Sequence, residues 1–279
     1  MRSALSPSGR GRTFEAVLAE LLRGAATQAR VVKALILREV RTRFGRYYLG
    51  YLWAVLFPLM FVLMLTVVFA FIGRRTAHGA PMEVLLLSGM MAWRAFIDTQ
   101  VQVAGAYQSN RPLLVYPQVT VFDIVIARTV LEFSTKLWAT VILGLLFFAV
   151  GVDIQLYDPL GIVLGMIMMS YFSMCFGHIV GCIMVEMPSV TFLVATTQRA
   201  LFFTSGVLFL LSDLPAEWRK YVLYNPLAHI IDYGRGAWIE GYSAPYADMG
   251  YVFQWAIGMT VAAIIAEGAV RRRRAGVNR

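Results

Sequence analysis

The sequence predicts an all-α integral membrane protein with six transmembrane helices and both ends in the cytoplasm, and three observations carry that expectation. First, 59% of the 279 residues are hydrophobic, 15% are charged and mean hydropathy is +0.66; soluble domains average roughly 45–50% apolar and about 25% charged. Second, the chain divides into six mostly apolar stretches, each near the roughly 20 residues that cross a bilayer as a helix. Third, basic residues crowd the ends: ten in residues 1–48 and five after residue 270, against five in the segments assigned outside. The positive-inside bias then puts both termini in the cytoplasm. The expected organisation is a cytoplasmic segment over 1–48, a membrane domain over 49–268 and a basic tail over 269–279.

The first segment has no apolar run long enough for a signal-peptide core. Phe14, Val17, Leu18, Leu21 and Leu22 fall at helical spacing, and Val31, Val32, Leu35, Ile36 and Val40 form a second apolar stripe beside Arg38, Arg41 and Arg43. That pattern predicts an amphipathic helix lying in the headgroup plane. Residues 49–73 carry no charge and form the first span; Arg74 and Arg75 follow it. The second span, 83–104, is less apolar and holds Glu83, Arg94, Asp98, Gln100 and Gln102. Arg94 and Asp98 stand one turn apart and are expected to neutralise each other. Residues 105–120 form a cytoplasmic loop, where Pro112 and Pro117 forbid one continuous helix and leave room for a short one between them.

The third span begins near residue 121 with Arg128, Glu132 and Lys136 spaced by four along one face, and becomes wholly apolar over 137–150. Charges at that depth face protein or a water-filled cavity. The fourth span, 156–185, holds Gly161, Gly165, Gly177 and Gly181 as two small-xxx-small pairs that favour close helix approach. The fifth, 190–211, contains a single charge, Arg199, near mid-depth. Residues 212–250 mix charges with Trp218, Tyr221 and Trp238, and predict two short helices broken at Asn225-Pro226 and half-buried at the outer interface. The sixth span, 251–268, is expected to stop at the run of arginines over 271–274.

No phosphate-binding loop, nucleophile elbow or zinc-type histidine motif occurs, and Cys175 and Cys182 lie in apolar sequence without a metal-ligand spacing. Enzymatic chemistry and hydrolysis of ATP by a P-loop are therefore not expected of this chain. His78, His178 and His229 are scattered, and each is expected to be a hydrogen-bonded structural group.

Four stretches, ALILREVRTRFGRYYLGYLWAVLFPL from residue 34, NRPLLVYPQVTVFDIVIARTVLE from 110, EMPSV from 186 and LPAEWRKYVLYNPLAHIIDYGRGAW from 214, resemble the membrane subunits of type 2 ABC exporters of capsular polysaccharide. The resemblance covers about residues 30–245. It implies six spans with two re-entrant half-helices between the fifth and sixth, and a homodimer working with two copies of a separate ATPase that holds ATP and Mg. It further implies periplasmic and outer-membrane export partners, an inner-membrane location, and a lipid-linked anionic polysaccharide as cargo. An O-antigen, a teichoic-acid-like polymer or a small hydrophobic molecule is the alternative cargo.

On this reading Arg38, Arg41, Arg43 and Arg46 either anchor the interfacial helix on anionic lipid or bind a lipid-linked phosphate, which guanidinium forks suit. Tyr47, Tyr48 and Tyr51 sit where they can stack on sugar rings or form an aromatic belt. Arg128, Lys136, Arg199, Phe202 and Phe203 are candidates for a conduit, along with Phe192, Phe209, Trp53 and Phe57. The loop residues Asn110, Arg111, Pro112, Tyr116 and Pro117 match the family's ATPase-coupling element. Trp218, Asn225, Pro226, His229 and Arg235 match the re-entrant exit segment.

Overall fold

A computed structural model describes residues 14–44, 49–73, 81–110, 112–113, 116, 118–154 and 157–277. Its described residues form helices joined by turns, without a strand. The helices are α1 (Phe14–Phe44), α2 (Leu49–Phe71), α3 (Met82–Ala104), α4 (Ala106–Ser109), α5 (Val121–Ala149), α6 (Pro159–Glu186), α7 (Val190–Thr204), α8 (Ala216–Val222), α9 (Pro226–Trp238) and α10 (Met249–Val277). Three of them, α5, α6 and α10, are long and apolar enough to cross a membrane by length and composition. The 23 residues of α2 reach about 34 Å at 1.5 Å per residue.

Helices α3 and α6 form the centre, α3 packing on α2, α5, α6 and α9, and α6 also on α10. Both glycine pairs of α6 make this possible. A Cβ on Gly177 would lie 2.7 Å from the Gln100 carbonyl oxygen, and one on Gly181 would lie 2.9 Å from that of Ala104. Gly161 and Gly165 do the same for α9, at Ala237 and Gly234. The start of α5 is set by Thr120 and Asp123, whose reciprocal side-chain and backbone bonds make a capping box. An apolar cluster of α1, α3, α4, α5 and α6 residues, among them Leu35, Val103, Tyr107, Val125 and Cys182, gathers at the end carrying the 105–120 loop.

Two boundaries differ from expectation. The fifth apolar stretch does not continue to residue 211; α7 ends at Thr204 after 15 residues, about 22 Å, followed by turns and a short 3-10 helix over Leu211–Asp213. Its backbone departs at Gly206, held at φ +72°, and the freed carbonyls of Val207 and Phe209 are taken by the Arg235 guanidinium from α9. The arginine run does not stop α10, which continues to Val277. Arginine is a good helix former, and Arg271 pairs one turn back with Glu267 while Arg273 reaches Glu186 on α6. In the 105–120 loop, α4 precedes Pro112, and Pro112 and Leu113, the described residues that follow it, are in 3-10 conformation.

Candidate functional site

Helices α2, α3 and α7 enclose an open cavity of about 390 Å³. Arg199 and Gln198 of α7 and Arg94 of α3 supply its polar groups, and Phe61, Trp93, Phe202 and Phe203 its aromatic wall. The rings interlock: Phe202 stands edge-on to Trp93 at 5.5 Å between centroids and to Phe203 at 5.2 Å. Arg94 lies 4.9 Å over the Phe57 ring, a cation–π contact.

The two arginines differ in how their charge is met. Arg94 bonds Asp98 one turn on at 2.9 Å, as its spacing predicted. Asp98 is shared, however, because Lys136 of α5 reaches the same carboxylate at 2.5 Å, so one anion stands between two cations. The Nε of Arg94 is buried without an acceptor. Arg199 is exposed on α7, a helix with no buried residue, and no ion pair forms to it among the described residues. Next to it Gln198 donates to the Gln100 side-chain oxygen of α3 at 2.5 Å, tying α7 to the centre of the fold.

Of the predicted conduit residues, Arg199, Phe202 and Phe203 come together here, with Trp53, Phe57 and Phe192 exposed on α2 and α7. Arg128 and Lys136 do not line the cavity; both are buried in α5 against protein partners. Arg128 donates to Glu39 of α1 at 2.9 Å, the Gln102 carbonyl at 2.5 Å and the Ser109 hydroxyl at 2.8 Å. Arg94 and Gln198 were not foreseen as lining residues. The signal was their polarity inside apolar helices, which Arg94's partner at Asp98 concealed.

A second cluster lies at the 105–120 loop. Arg38 donates to the Asn110 side-chain oxygen at 3.0 Å, and Asn110 is itself buried, its side-chain amide donating to the carbonyl of Ala106, the first residue of α4. With Glu39 on Arg128, two adjacent residues of α1 therefore grip α4 and α5. Pro112 and Tyr116 are exposed beyond them. Arg41 is exposed. Arg46, Tyr47, Tyr48, Arg111 and Pro117, together with His78, Arg74 and Arg75, fall outside the described residues, as do the side chains of Arg43 and Tyr51.

The 214–248 segment folds as two short helices broken at Asn225-Pro226, as expected. The Asn225 oxygen caps the Leu227 N–H at 3.0 Å while its amide donates to Ser205 Oγ at 2.8 Å, so one side chain starts α9 and holds the end of α7. His229 accepts from the Asp248 N–H at 3.0 Å through Nδ1, which leaves Nε2 protonated to donate to the Leu223 carbonyl at 2.8 Å. It is a structural histidine, and so is buried His178, 3.3 Å from Glu267. Trp218 is exposed on α8, and Arg235 is buried.

Comparison with known proteins gives the frame for this arrangement. Residues 30–238 match the ABC-2 type transporter family. The polysialic acid transport protein KpsM of Escherichia coli is 31% identical over 229 residues, covering 82% of this chain and 89% of that protein. The capsule polysaccharide export inner-membrane protein CtrC of Neisseria meningitidis is 26% identical over 81% of this chain and 85% of its own length. BexB of Haemophilus influenzae, with the same description, is 25% identical over 81% and 86%.

Proposed function

Because the chain belongs to the ABC-2 type transporter family, we propose that it is the permease half of an ATP-driven exporter that carries a lipid-linked, anionic capsular polysaccharide across the inner membrane. The observation that carries this reading is Arg199. An exposed guanidinium on an otherwise uncharged helix, facing an aromatic-lined cavity that also holds Arg94, suits a substrate bearing both negative charge and sugar rings. A cation at that depth is costly unless water, a carboxylate or an anion meets it.

The full working unit in this reading is two copies of the chain with two copies of a separate ATPase that binds ATP and Mg. Helix α7 has no buried residue, and α2 leaves Trp53, Phe57, Met60 and Met64 exposed, which supports a second copy closing the conduit over these two helices. Six spans then run through α2, α3, α5, α6, α7 and α10 with both termini cytoplasmic. Helix α7 falls short of the roughly 30 Å apolar core, and α8 and α9 form a re-entrant pair at the exit, with Asn225 and Arg235 shaping its turn.

Closure of the ATPase pair would press on the loop around Asn110, Arg111, Pro112, Tyr116 and Pro117. The Arg38–Asn110 and Glu39–Arg128 bonds would pass that motion to the interfacial helix. Arg41, Arg43 and Arg46, with Tyr47, Tyr48 and Tyr51, then receive the phosphate and first sugars of the cargo at the cytoplasmic leaflet.

The test is to delete the gene in the organism that encodes it and to follow the polysaccharide by fractionation and surface staining. Glycan that is still made but held inside on lipid is the expected result. Unchanged surface glycan overturns the cargo assignment.

A further inference from the structure

At the turn between α5 and α6 two cavities lie on either side of one backbone contact, with no lining residue in common with the Arg199 cavity. One is polar, about 360 Å³, lined by Tyr157, Asp158, Tyr233 and Tyr242 over the bare backbone of Gly236 and Gly241. The other is apolar, about 410 Å³, between Leu137, Gly144 and Phe148 of α5, Ile162 and Val163 of α6, and Trp238 of α9. The wall between them is the pair of dipeptides Asp158-Pro159 and Ala237-Trp238, joined by the Asp158 N–H on the Ala237 carbonyl at 3.0 Å.

The two halves ask for different chemistry in one ligand. Leu145, Phe148 and Leu160 are exposed beside the apolar groove, so it opens on a face that two apolar spans turn outward. From Leu137 to Phe148 the groove follows α5 for about 16 Å at 1.5 Å per residue, about half of a hydrocarbon core near 30 Å. That is the depth of one leaflet. In the polar cavity the sole charge is the Asp158 carboxylate, which precedes the first turn of α6 yet makes no capping bond. The Tyr242 hydroxyl is committed to Asp232 at 2.6 Å, leaving its ring to line the space. Ala244, also on the wall, is held at φ +48°, a conformation a non-glycine residue keeps only where its surroundings impose it. A carboxylate among aromatic rings fits an ammonium group and repels an anion.

We infer that these cavities are the two halves of one site for a phospholipid with a protonated amine headgroup, the ammonium between Asp158 and the tyrosines and one acyl chain along α5. The site requires only that α5 and α6 cross the bilayer and is independent of the exporter's cargo. In the orientation proposed above it lies in the periplasmic leaflet.

The test uses the full chain with its ATPase in nanodiscs of phosphatidylethanolamine and phosphatidylglycerol in equal amounts, followed by mild detergent extraction and mass spectrometry of the retained lipid. Wild-type protein is expected to retain phosphatidylethanolamine above the input ratio, and Asp158→Asn to cut that enrichment roughly fivefold, the upper worth of a solvent-accessible ion pair. Gly144→Leu, whose side chain would grow from a Cβ 4.0 Å from Trp238 into the groove, is expected to lower retention of both lipids. Wild-type retention at the input ratio overturns the site, whatever the variants do, and is the outcome if the polar cavity instead takes a basic side chain of a partner protein. Enrichment that survives Asp158→Asn overturns it as well.

Discussion

Arg38 donates to the Asn110 side-chain oxygen across 3.0 Å, joining α1 to the residue that follows α4. Because Glu39, the next residue, holds Arg128 of α5, α1 meets the end of α4 and the body of α5 through two adjacent polar grips. Arg38, expected either to anchor its helix on anionic lipid or to bind a phosphate, thus also ties α1 to Asn110.

Loss of either grip is expected to separate ATP turnover from transport. In Asn110→Ala and Glu39→Ala the complex should assemble and hydrolyse ATP while export falls several-fold, each variant losing a bond to a charged group worth about 1.5–3 kcal/mol. Paired assays of phosphate release and surface glycan check this. A parallel fall in both would mean that the grips serve the ATPase cycle itself.

Arg199 carries the cargo side of the account. Arg199→Ala should leave yield and dimer size unchanged, since no ion pair forms to it among the described residues, while export drops roughly tenfold for a lost charge-assisted bond of about 1.5 kcal/mol. Arg199→Lys should recover part of it, and Arg199→Glu none. Size-exclusion profiles together with export assays separate this from misassembly.

Asp98 stands between Arg94 and Lys136, so its loss leaves two cations facing each other. Asp98→Asn is expected to destabilise the chain by about 3–5 kcal/mol, as breaking a buried pair does, and Asp98→Asn with Lys136→Met to recover much of that loss. Thermal unfolding in detergent gives the comparison.

Gly89 leaves the hollow that Arg235 fills. A Cβ there would lie 2.4 Å from the Val207 oxygen and 2.5 Å from Arg235 Nη2, so Gly89→Ala forces the turn after α7 away from α3. A cost of about 1–3 kcal/mol is expected, the usual penalty for overpacking. Arg235→Ala is also destabilising, because it strands the Val207 and Phe209 carbonyls. Melting temperatures of both variants against wild type test this.

Much of the architecture was legible because pattern and packing agree. The second stretch is helical over Met82–Ala104 despite its charges, since Arg94 and Asp98 pair one turn apart and Lys136 of α5 meets the same carboxylate. The glycine spacing of the fourth span announced the close approaches at Gly177 and Gly181. The break after Thr204 was hidden in an apolar run, because the acceptor-satisfying Arg235 comes from a distant helix that local pattern does not reveal. The cavity was half legible: Arg199 stood out as a lone charge, whereas Arg94 was masked by its own ion pair, and Gln198 acts through a bond to Gln100 that only the packing of α7 on α3 creates.

The most direct test of the central claim is transport by purified components. The chain and its ATPase would be reconstituted in proteoliposomes carrying lipid-linked anionic glycan on the ATPase side, and glycan reaching the opposite side would be measured with and without ATP. ATP-dependent transfer that Arg199→Glu abolishes in an intact complex is the expected result. ATP hydrolysis without glycan movement, or transfer unaffected by Arg199→Glu, would contradict it.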